Sequence, residues 1–167
     1  PTRDRKSITE VAVRSILEKT TYHNYEIIIL DNGSVEPETL KFFAEIQQED
    51  ARVRILRYDY PFNYSAINNF GVANSKGKIV GLINNDVEVI SSEWLTEMVG
   101  HACRYDIGCV GAKLYYSNDT LQHGGVIMSI GGVAGHSHKY FDRDSPGYFS
   151  RLILTQNLSG VTAACLL

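Results

Sequence analysis

The sequence predicts an α/β fold built on a mainly parallel sheet with both faces covered. Two observations carry that prediction. Short, β-branched apolar runs at Tyr25–Leu30, Val53–Leu56, Lys78–Ile83 and Ile107–Ala112 alternate with stretches whose apolar residues recur at helical spacing. The strand runs are continuous rather than alternating, as expected of strands buried on both sides. Strands separated by helices of this length imply right-handed crossovers between parallel neighbours.

The elements follow in order. Ser7 and Glu10 have the spacing of a capping box, and Ile8, Val11, Ala12, Ile16 and Leu17 share one face, so residues 7–19 are predicted helical. Tyr25–Leu30 runs into Asp31-Asn32-Gly33-Ser34, a turn sequence. Pro37 suits the first turn of a second helix, whose apolar face is Leu40, Phe43 and Ile46. A third helix is expected over Tyr64–Ala73, closed by Asn74-Ser75-Lys76-Gly77. Lys78–Ile83 ends at Asn84-Asn85-Asp86, and Ser91 or Ser92 is expected to cap a fourth helix carrying Leu95, Met98, Val99 and Ala102. After Ala112 the rhythm breaks. Residues 113–150 hold five of the 14 glycines between Gly124 and Gly135, and read as a short hairpin plus long loops.

Composition narrows the function classes. The chain has 167 residues, 44% hydrophobic and 21% charged, which suits one domain with a sizeable core. A net charge of −3 gives no basic field for nucleic acid. No apolar run spans a bilayer. Cys103, Cys109 and Cys165 lack paired spacing and read as buried small hydrophobes in a reducing compartment. Pro1 opens the chain and the apolar segment Val161–Leu167 closes it, which reads as a piece of a longer protein.

Ligands of open parallel sheets bind at the carboxyl ends of the strands. Asp31 and Asp86 fall at two such ends. A carboxylate there accepts hydrogen bonds from a ribose or base, or gives a hard oxygen to a divalent cation. Each also reads as a turn former or helix cap. Phe62–Asn69 opens the third helix with amides and a hydroxyl. It suits an anionic or sugar ligand at a helix N-terminus, or equally a capped amphipathic helix. His136-Ser137-His138 reads as a metal-binding pair or as a solvated, substrate-facing loop. The dinucleotide fingerprint, the Walker loop, the zincin motif, Cys-x-x-Cys and the nucleophile elbow are all missing. A phosphate-bearing ligand would therefore be held through a cation, which favours a metal-bridged diphosphate.

Together, Pro1-Thr2-Arg3-Asp4-Arg5, the run Tyr25–Ser34, FNYSAINNFGVANSKG and LINNDVEV resemble the family 2 glycosyltransferases, in particular bacterial members that build O-antigen, rhamnosyltransferase-like ones included. VGAKLYY, QHGGV and GGVAGHSHK resemble the same subgroup. The resemblance implies the GT-A fold, three-layered around a mainly parallel sheet, here lacking the family's first strand and its C-terminal part. It divides residues 1–167 into a nucleotide-binding portion, 1–112, and an acceptor-side hairpin, loops and the start of a strand, 113–167.

The resemblance also implies roles for single residues. Pro1 and Thr2 border the nucleotide base. Asp31 binds base or ribose. Ser65 and Asn68 meet the donor. Asn84, Asn85 and Asp86 match the metal-binding region, where Asp86 contacts Mn²⁺ or Mg²⁺ and Asn84 replaces the usual first aspartate. Ile67 stands where many members have arginine. The implied reaction is inverting transfer from a nucleotide-diphosphate sugar to a glycan or lipid-linked acceptor. The family's base is expected beyond Leu167, so no catalytic residue is assigned and the 167 residues alone are expected to be inactive. A cytoplasmic place is expected, at the inner face of the membrane if the acceptor is lipid-linked. Loss of the first strand should expose the edges of its neighbours or leave the sheet to be completed by another element. The alternative reading is a non-catalytic nucleotide- or sugar-binding module of a larger polysaccharide-assembly protein. A nucleotidyltransferase would need a basic, glycine-rich phosphate loop, which the sequence lacks.

Overall fold

The computed structural model describes every residue from Pro1 to Leu167 except the side chain of Ile130. Helix α1 (Lys6–Lys19) is followed by β1 (Ile27–Asp31), α2 (Pro37–Glu49) and β2 (Val53–Arg57). β1 and β2 pair in parallel, from Ile27 opposite Val53 to Asp31 opposite Arg57. One core forms here, from Val13 of α1, Ile29 of β1, Phe42, Phe43 and Ile46 of α2 and Val53 of β2. Phe42 and Ile46 are almost wholly enclosed. Each such side chain contributes about 1.5–3 kcal/mol through burial.

Helix α3 (Tyr64–Ala73) lies against β1. Its start is fixed by Asn63, whose side chain accepts a hydrogen bond from the Ala66 amide at 2.9 Å. Gly71 allows the close approach, since a Cβ there would sit 2.7 Å from Leu30 Cδ1. β3 (Leu82–Ile83) and α4 (Trp94–Ala102) follow. Two antiparallel hairpins come next, β4 (Leu114–Tyr115) with β5 (Leu121–His123) and β6 (Val126–Met128) with β7 (Ala134–His136). β8 (Cys165–Leu166) returns to pair antiparallel with β3.

The expected continuous, mainly parallel sheet does not form. The strands make four separate two-stranded units, of which only β1–β2 is parallel. Beyond β2, β1 is bridged only by Thr2, which lies parallel to it opposite Asp31. A cavity of about 890 Å³ separates the two halves, lined by Ile28 and Leu30 of β1 and by Leu82, Ile83 and Leu167. The sheet is thus interrupted between β1 and β3. Residues 107–112 reach β8 through the Gly111–Leu166 bridge and the mutual Val110–Leu167 hydrogen bonds, without a ladder of their own.

Local capping differs as well. Ser7 lies inside α1, whose N-cap is Arg5 in the left-handed region without a side-chain cap, and Glu10 turns instead to Lys6 and Arg14. Glu93, not Ser91 or Ser92, precedes α4, and its side chain makes no cap either. Cys165 is buried, and burial pushes its thiol up to about 11, but Cys103 and Cys109 are exposed. No helix is long and apolar enough to cross a membrane among the described residues.

Candidate functional site

The site is assembled at the carboxyl end of β1. Asp31 is 2% exposed and closes the strand. Its Oδ1 accepts from the Ser34 amide at 2.8 Å, and its Oδ2 from Arg57 Nη1 at 2.7 Å. Gly33 supplies the positive φ of 82° that the turn requires. Asn32 donates from Nδ2 to the carbonyls of Tyr58 and Tyr60, fastening the turn to the segment after β2.

The first residues of the chain dock on this turn. The Thr2 amide donates to the Leu30 carbonyl at 2.9 Å, and the Asn32 amide to the Thr2 carbonyl at 2.8 Å. Asp4 Oδ1 accepts from the Val35 and Glu36 amides, which hold its carboxyl below the usual range.

The turn after β3 reaches the same place. Asn85 Nδ2 donates to Thr2 Oγ1 at 3.1 Å, and Thr2 Oγ1 also lies 2.9 Å from Thr9 Oγ1. The Asn84 amide donates to the Ala164 carbonyl at 2.9 Å. Further on, the Val89 amide donates to Ser15 Oγ, and Lys19 pairs with Glu88 at 2.7 Å. Residues 84–89 are therefore hung on α1 and on Thr2.

Pro1, Thr2, Asn68, Asn84 and Asn85 all line the cavity, with Asp31 one residue beyond Leu30. Asn68 commits its Nδ2 to the Tyr64 carbonyl at 2.7 Å, which leaves its oxygen as an acceptor. Ser65 sits exposed on the first turn of α3, outside the lining. Asp86 is also exposed and outside the lining, and no hydrogen bond or ion pair engages its carboxylate among the described residues.

A resident, all-protein metal cage does not fit. No group of three or more His, Cys, Asp or Glu side chains converges among the described residues. A lone carboxylate does suit a magnesium-like ion that takes its other ligands from phosphates and water. The His136-Ser137-His138 pair does not face one ion. His136 Nδ1 meets His123 Nδ1, while His138 turns to Ser137 Oγ and the Tyr148 amide.

Two features escaped the sequence reading. Arg57, the cation on Asp31, gives no local signal because it belongs to β2 and meets Asp31 only through strand register. His123 lies in QHGGV, yet only the fold brings it to His136 and Thr162.

The family model described as glycosyl transferase family 2 matches residues 1–165. An "Uncharacterized protein y4gI" of Sinorhizobium fredii is 55% identical over 166 residues, covering 99% of this chain and 18% of that protein. The "O-antigen biosynthesis protein RfbC" of Myxococcus xanthus is 38% identical over 172 residues, covering 100% of this chain and 13% of that protein. An "Uncharacterized glycosyltransferase" of Haemophilus influenzae is 28% identical over 104 residues, covering 62% of this chain and 31% of that protein. The chain thus spans less than a fifth of the length of the first two relatives.

Proposed function

The chain belongs to glycosyl transferase family 2, and we propose from that premise that it binds the nucleoside diphosphate of a sugar donor at the Thr2–Asp31–Asn85 rim. The observation that carries this reading is the hydrogen bond from Asn85 to Thr2, whose backbone is paired to β1 beside Asp31. It brings three segments, distant in the chain, to one edge of a cavity.

Each group has a task. Asp31 closes β1 beside Thr2 and would accept from a ribose hydroxyl, and Arg57 keeps the carboxylate in place. The side chains of Asn84, Asn85 and Asn68 line the cavity wall and offer amide donors and acceptors to base or sugar. Asp86, exposed at the next position, would hold Mn²⁺ or Mg²⁺, and such an ion when bound neutralises charge on a departing diphosphate. The proposed reaction is inverting transfer to a hydroxyl of a glycan or lipid-linked acceptor. Similarity to a protein named for O-antigen biosynthesis supports a surface polysaccharide as that acceptor.

The test is thermal unfolding with UDP, GDP or dTDP, each with and without Mn²⁺. Ligand at a hundred times its Kd stabilises by about 2.7 kcal/mol, a rise in Tm of about 5–10 °C for a chain of this size. Asp86→Ala should abolish the part of the rise that depends on Mn²⁺. Absence of any shift with all three nucleotides would refute the reading.

A further inference from the structure

We propose that His123 is a positioning residue for the Asn84–Asp86 corner, and that it acts through a proton-ordered pair with His136 that works only while both rings are neutral. The functional half of this proposal rests on the nucleotide-binding reading above.

The geometry fixes the protons. His123 is 1% exposed. The Thr162 amide points at His123 Nε2 from 3.3 Å, and an amide can only donate. Nε2 must therefore be the bare nitrogen, so neutral His123 carries its proton on Nδ1. That proton points at His136 Nδ1, 2.9 Å away. His136 must then accept at Nδ1 and carry its own proton on Nε2. The rings meet edge to face, at 84° between planes.

The line leads to the site. Thr162 belongs to the segment that runs from Gly160, which accepts from the Val126 amide at 2.9 Å, to Ala164, which accepts from the Asn84 amide at 2.9 Å. His123 thus holds the middle of a strap whose far end sets the corner carrying Asn85 and Asp86.

One extra proton breaks the line wherever it lands. On His136 Nδ1 it sets two N–H groups against each other. On His123 Nε2 it sets an N–H against the Thr162 amide. No tautomer shift escapes both. His136 is the titratable group facing His123. Leu114 across β4, Gly160 and Thr162 carry no charge, and Lys113, beside Leu114, turns its ammonium to the Leu152 carbonyl at 2.8 Å. The buried ring also resists a charge of its own, since burial and the facing imidazole both push its pKa down.

Nitrogen-15 spectra of the imidazoles in the full chain test the ordering. At pH 7.5, both rings should be neutral, with Nδ1–H on His123 and Nε2–H on His136. A cationic His123, or one protonated at Nε2, would overturn the proposal. His123→Ala should shift the amide signal of Asn84, and an unmoved signal would also overturn it. His123→Gln keeps an acceptor for Thr162 but cannot titrate. At pH 7.5, His123→Ala should bind nucleoside diphosphate with Mn²⁺ about fivefold more weakly than the wild type, the worth of one lost hydrogen bond, while His123→Gln should bind about as well as the wild type. Equal affinity of His123→Ala and the wild type would refute the functional half. If the wild type binds no nucleotide, the functional reading fails, while the spectra still decide the histidine pair.

Discussion

Lowering the pH from 7.5 to 5 should cost the fold about 2 kcal/mol through His123 alone. The ring is buried, and burial together with the facing His136 lowers its pKa from 6.5 to about 4. The sign follows from linkage. The unfolded chain takes up a proton on this ring as pH falls through 6.5, while the folded chain does so only near 4. The unfolded state therefore binds more protons across that window, and stability falls with pH. The loss begins at about 0.8 kcal/mol by pH 6 and levels off near 3.4 kcal/mol below pH 4. Urea denaturation at pH 7.5, 6 and 5 measures it directly. The carboxylates of Asp4, Glu10 and Asp50, all held below their ordinary values by hydrogen-bond or ion-pair partners, give stability that is lost as pH falls from the ordinary carboxylate range down through their lowered values, and so is nearly intact at pH 5. The interval from pH 6.5 to 5 thus avoids these carboxylates, and His123→Gln separates this ring from the other four histidines. His123→Gln should flatten the slope there. A wild type with constant stability from pH 7.5 to 5, or a variant with the wild-type slope, would refute the reasoning.

Two further substitutions test the scaffold of the site. Asp31→Ala leaves the buried Ser34 amide without its acceptor and should cost about 1–3 kcal/mol, whereas Asp31→Asn keeps an oxygen for that amide and should cost less. Chemical denaturation ranks the two, and equal losses would show that the Ser34 contact contributes little. Asn63→Ala removes the side-chain cap of the helix that carries Ser65 and Asn68, and should cost about 1 kcal/mol. A variant as stable as the wild type would place the helix start elsewhere.

What the sequence reveals depends on the range of the interaction. The third helix is legible to the residue, Tyr64–Ala73, because its cap and its closing polar run are local. β1 and β2 are legible because β-branched runs between helices leave few other options. The capping box at Ser7 misleads because the chain before α1 is tied by Asp4 to residues 34–36, so the helix begins after Arg5 instead. Lys78–Ile83 shrinks to Leu82–Ile83 because a strand needs a neighbour, and only β8 supplies one. Asp31 and Asp86 can be read as candidate site residues from their places after apolar runs. The partners that orient them cannot, because Arg57, Asn85 with Thr2, and His123 with Thr162 meet only through tertiary structure.

The division of the sheet changes what holds the site together. In a continuous sheet, backbone ladders would set the ends of β1 and β3 relative to each other. Here no ladder joins the β1–β2 pair to the β3–β8 pair. Helix α1 takes over that role. Val13 packs into the core under β1, Thr9 meets Thr2, Ser15 receives the Val89 amide, and Lys19 reaches Glu88 and the Val89 carbonyl. These contacts lie on successive turns of one rigid rod of 14 residues. The distance between the Asp31 turn and the Asp86 turn is therefore fixed by helix geometry and a few polar side chains, not by strand register.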